Sequence, residues 1–93
     1  MKPRITLSVG KDGEFELWIN PEGRDLLVRE LLALNAEHDH FHLFPPAWWE
    51  HAEVPISLKA YRASDQVLTT GKVLFRPDEW DREYFPHVLD ESG

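Results

Sequence analysis

The sequence predicts an α+β domain: a mostly antiparallel sheet of about five strands with one main helix packed on one face, in the order β-β-α-β-β-β. Three observations predict it. Ile5, Leu7 and Val9, and then Phe15, Leu17 and Ile19, alternate with other residues at the period of a strand. Asn20-Pro21-Glu22 opens a leucine-rich run of helical period. From His38 to Phe44 the alternation returns. One helix covers only one face of such a sheet, so the second face is expected to meet water, which antiparallel sheets tolerate.

Taken in order, Ile5 to Val9 and Phe15 to Ile19 form a hairpin around Gly10-Lys11-Asp12-Gly13, whose glycines are free to take positive φ. Its two apolar sets share a face, and Trp18 falls on the other. Asn20 is a favoured N-cap, Pro21 suits the first helical position and Glu22 suits the positive end of the helix dipole. The helix is expected from Pro21 to about Ala36, with Leu27, Leu31 and Leu34 as its core stripe, widened by Val28 and flanked by Leu26 and Leu32. A histidine strand follows from about Asp39 to Phe44, ended by Pro45-Pro46. In it His38, His40 and His42 share one face, and Phe41 and Leu43 point to the core.

The stretch from Ala47 to Glu53, with Trp48 and Trp49, reads as an irregular loop. Ile56, Leu58 and Ala60 suggest a fourth strand. Gln66 to Arg76 reads as a last strand or pair of strands, with Thr70-Gly71 a bulge or turn. Asp78 to Tyr84 fits a helical turn that Pro86 interrupts, with Trp80 expected in the core. By parity, Trp18, the three histidines and Tyr61 gather on the open face.

Ninety-three residues make one domain, 1–93, with an acidic extension from about residue 77. Six acids between Asp78 and Glu91 face only Arg82, so that segment carries −5 of the formal −7. This field opposes nucleic acid and anionic membranes and favours a basic protein partner. There is no cysteine, which removes disulfides and thiolate metal sites. No apolar run is long enough for a leader or a membrane span, so a cytoplasmic protein is expected.

No glycine-rich phosphate loop or nucleophile elbow accompanies the histidines, so catalytic residues are not expected. His-x-His-x-His invites a metal, since strand histidines two apart can reach one ion. Nothing in the spacing names further ligands, and the expectation is no cofactor and no metal. A histidine-based metal module remains the alternative from another class, and a homodimer interface is a third use for an open face. Protein binding suits the residue types best, because tryptophan buries a large area at small entropic cost. Four tryptophans are present, Trp18, Trp48, Trp49 and Trp80.

The run Asn20-Pro21-Glu22-Gly23-Arg24-Asp25-Leu26-Leu27, then His38-Asp39-His40-Phe41-His42-Leu43-Phe44, then Trp48-Trp49 resembles the immunity protein 32 family of bacterial polymorphic-toxin systems. The resemblance covers roughly residues 14–50. Where members carry a Glu-Trp-Gly-Gly-like stretch, this chain reads Ala47-Trp48-Trp49-Glu50, without the glycines. The resemblance implies a small α+β inhibitor that neutralises a cognate toxin by stoichiometric binding. The partner is then expected to be a toxin domain with a basic surface, such as a nuclease. Trp18, His38, His40, His42, Trp48 and Trp49 would supply its aromatic contacts, and Asp78, Glu79, Asp81 and Glu83 its charge complement.

Overall fold

The computed structural model describes residues 2–46 and 53–89. Its elements are β1 (Ile5–Val9), β2 (Phe15–Ile19), α1 (Pro21–Leu32), β3 (His40–Phe44), β4 (Val54–Pro55), β5 (Gln66–Val67), β6 (Gly71–Leu74), α2 (Asp78–Tyr84) and a 3-10 turn at Pro86–Leu89. The class is α+β, as predicted. Trp48 and Trp49 lie outside the described residues.

The hairpin is the one the alternation predicts. β1 and β2 run antiparallel, with Ile5 opposite Ile19 and Val9 opposite Phe15. Gly13 takes φ 86°, and the Gly10 N–H closes the turn on the Glu14 carbonyl at 2.8 Å. Asn20 then fastens three segments together. Its side-chain oxygen accepts from the N–H of Gly23 at 2.7 Å and of Arg4 at 2.8 Å, and its amide donates to the Lys2 carbonyl at 3.0 Å. The first bond is the predicted N-cap of α1. Gly23 is required by close approach: a Cβ there would sit 2.6 Å from the Arg4 carbonyl oxygen. The helix therefore lies directly on the start of β1.

α1 ends at Leu32, short of the expected Ala36. The cause is Asn35, whose side-chain oxygen accepts from the N–H of Glu37 at 2.9 Å and of His38 at 2.8 Å. This turn draws the backbone out of the helix and into β3.

Among the described residues the strands form two three-stranded sheets, ordered β2-β1-β5 and β4-β3-β6, and not one sheet of five. Alternation tells which face a residue takes, but not which strand lies alongside. β3 pairs parallel with β4 on one edge and antiparallel with β6 on the other. Two segments stitch the sheets together. The chain after β4 gives the Ile56 N–H to Phe44 at 3.0 Å and the Ser57 N–H to Ile5 at 2.8 Å. The chain from β5 to β6 gives the Leu68 N–H to Leu7 at 2.8 Å, then crosses to β3. The fourth strand expected around Ile56 to Ala60 is reduced to Val54–Pro55. Pro55 has no N–H to extend a ladder, and the chain beyond it turns to β1.

The core lies between the sheets. Ile5 and Leu7 face Phe41, Leu43, Val54 and Ile56, with Leu26 of α1 and, at the margin, Leu27, Leu34, Leu68 and Val73. Three expected core contributions fail. Leu31 and Val28 of the helix stripe are about half exposed. Neither α2 nor the 3-10 turn buries any residue, so Trp80 is not a core residue. The Cα radius of gyration is 15.5 Å, against about 12–13 Å for a compact chain of this length.

Candidate functional site

The predicted single open face does not exist. Trp18 and the histidines project from the outer sides of different sheets, with the core between them.

Trp18 is engaged internally. Its indole N–H donates to Ser8 Oγ at 3.0 Å, and its ring stacks on Tyr61 with centroids 4.3 Å apart and planes 7° apart. Together they roof the outer side of β1, where Thr6 and Ser8 are fully buried. Two cations flank the stack. Arg62 lies 5.2 Å from the Trp18 ring and pairs with Glu16 and Asp65, and Arg4 Nε donates to the Tyr61 hydroxyl at 3.3 Å.

The histidine row is two residues long. His38 falls in the bend before β3 and is exposed, outside the strand. His40 and His42 meet edge to face at 5.1 Å, and His42 stacks on Phe44 at 5.4 Å. His40 Nδ1–H donates to the Asp39 carboxylate at 2.7 Å, and this bond holds Asp39 below the usual carboxylate range. Among the described residues, no three His, Asp or Glu side chains converge on a point where an ion would sit.

The acidic residues do gather. Asp78, Glu79 and Asp81 occupy the first turn of α2 and suit its positive end, and Glu83 follows. Asp81 is held by Arg76 Nη2 at 2.8 Å, and the same guanidinium covers Trp80 at 5.5 Å and Phe85 at 5.2 Å. Beside these acids Tyr84 is 67% exposed, and Phe85 and Val88 are about half exposed. α2 and the 3-10 turn pack on each other more than on the body of the protein. The result is an arm that presents aromatic and acidic groups side by side.

A second surface was not anticipated from the sequence. β2 turns Phe15, Leu17 and Ile19 to the same side as the core residues of β1, yet they stay 57%, 45% and 40% exposed. Phe15 and Leu17 wall an apolar groove of about 370 Å³ whose other wall is Leu27 and Leu31 of α1 and whose floor is the core itself, at Leu7, Phe41 and Leu43. One signal for it was present: α1 has only one stripe of leucines, too narrow to cover the apolar faces of two strands.

Comparison with family models, with curated proteins and with solved structures gave no match to this chain. Among the described residues, no helix is long and apolar enough to cross a membrane.

Proposed function

We propose that the protein is a small, non-catalytic binding domain that neutralises a cognate bacterial toxin in the cytoplasm, as its resemblance to immunity protein 32 implies. The observation that carries this reading is the C-terminal arm. Tyr84, Phe85 and Val88 stay exposed although water disfavours them, and Asp78, Glu79 and Glu83 stand beside them. An aromatic patch with a one-sign rim suits a protein partner of opposite charge: the rings supply contact area and the acids steer the encounter. Trp18 is less suited to that partner, because Arg4 and Arg62 flank it.

The test is protection. A candidate toxin reading frame adjacent to this gene is expressed with and without the chain, and growth and direct association are measured. Protection by the wild type is expected, with association that slows as ionic strength rises. The triple change Asp78→Lys, Glu79→Lys, Glu83→Lys should slow association by roughly tenfold or more while leaving the fold intact. A wild-type chain that neither protects nor binds overturns the reading, as does a triple variant that associates at the wild-type rate.

A further inference from the structure

The hydrogen-bond parity of the hairpin determines what the far edge of β2 presents. On β1, Arg4 and Gly10 bond to β2 residues, the carbonyl of Arg4 accepting from Asn20 N–H and the N–H of Gly10 donating to the Glu14 carbonyl. The carbonyls of Ile5 and Leu7 turn the other way, to Ser57 and Leu68. The backbone groups of Thr6 and Ser8 therefore point to β2, where their partners are Trp18 and Glu16. The N–H and C=O groups of Phe15, Leu17 and Ile19 thus all point outward, away from β1. β2 ends its sheet, and no described residue bonds to those six groups.

Such an edge is a template for another strand, and folded chains usually guard it. β6, the corresponding edge of the second sheet, carries Lys72. β2 has no lysine, proline or bulge, and its one charge, Glu16, is paired with Arg62 on the outer side. The segment is also self-complementary. Laid antiparallel on itself about Leu17, it sets Leu17 against Leu17, Phe15 against Ile19, and Glu16 against Trp18. No like charges oppose, all three outward residues form hydrogen-bonded pairs, and the apolar side chains of both copies fall on one face.

We propose that β2 pairs with β2 of a second copy of this chain, antiparallel about Leu17, and that the groove between β2 and α1 closes in that dimer. The surface balance fits. The accessible surface is 6827 Å², whereas a folded monomer of this mass exposes about 5,600 Å². A standard interface takes about 800 Å² from each partner. Phe15, Leu17, Ile19, Val28, Leu31 and Leu32, each 40–81% exposed, lie on the strand and helix that flank the edge. A second copy also accounts for an unguarded edge better than an unrelated partner does, since each chain supplies the strand that its twin lacks.

Sedimentation equilibrium of the full chain tests this, from about 1 to 100 μM. A dimer of twice 10.9 kDa is expected, tighter at higher salt because each copy carries −7. Leu17→Lys places two cations face to face on the symmetry axis, and Ile19→Thr keeps a strand-forming residue while removing apolar contact. Each should raise the dimer dissociation constant by roughly tenfold or more with an unchanged circular dichroism spectrum. A wild-type chain that is monomeric throughout overturns the proposal. So do two folded variants that dimerise like the wild type. Neither result depends on any toxin, so this proposal and the neutralising role fail separately.

Discussion

At the scale of single residues, position on an outer face does not make a side chain available. Trp18 stands on the polar side of its hairpin, yet its ring closes over Ser8, spends its N–H there and stacks on Tyr61. Truncation would leave a hole over two fully buried hydroxyl residues and break a stacked pair. Trp18→Ala is therefore expected to destabilise the fold by about 2–3 kcal/mol, less than a fully enclosed tryptophan because this one keeps some contact with water. His40→Ala, which removes a part-buried hydrogen bond to Asp39 and one ring contact, should cost about 1 kcal/mol. Urea unfolding of both variants checks the order. Equal, small losses would return Trp18 to the role of a free anchor.

Elements repeat the lesson with backbone in place of rings. The hairpin, the start of α1, the histidine strand and α2 were legible because each is announced locally, by alternation, by the Asn20 cap or by a proline at its boundary. The end of α1 is marked by Asn35, but the leucine period runs on to Leu34 and masks that signal. The division into two sheets was not legible. It depends on hydrogen bonds between residues far apart in sequence, such as Ser57 to Ile5 and Leu68 to Leu7. The exposed groove is illegible for a related reason: Phe15, Leu17 and Ile19 have the pattern of core residues, and only packing reveals that they stay 40–57% exposed. Of the anticipated site, the acidic helix was found where it was expected, whereas Trp18 and the histidines fell on separate surfaces.

Asn20 is the point at which the local signals become tertiary. It ties α1, the segment before β1 and the end of β2 with three hydrogen bonds while almost fully buried. Asn20→Ala forfeits all three and leaves the N–H of Gly23 and of Arg4 without acceptors, a loss of about 2–3 kcal/mol. Asn20→Asp keeps both accepted bonds and loses only the donation to Lys2, so about 1 kcal/mol is expected. Equilibrium denaturation distinguishes them. Equal losses would mean that the cap is incidental and that the amide bond to Lys2 carries the effect.

For the whole molecule, stability and assembly become one quantity. The core is open along the groove, and the chain exposes more surface than its mass requires. A second copy that closes the groove binds the folded state and not the unfolded one, so the thermal midpoint must rise with chain concentration. Each tenfold in concentration adds about 1.4 kcal/mol to the dimer. Shared between two chains, that is roughly 3–6 °C for domains of this size. Differential scanning calorimetry across two decades of concentration gives the slope directly. Leu17→Lys should melt lower and at a temperature that does not move with dilution, while raised salt should lift the wild-type midpoint by screening the repulsion between the two acidic copies. A wild-type midpoint that ignores concentration would mean that the exposed leucines of α1 and the edge of β2 contribute nothing to holding this protein together.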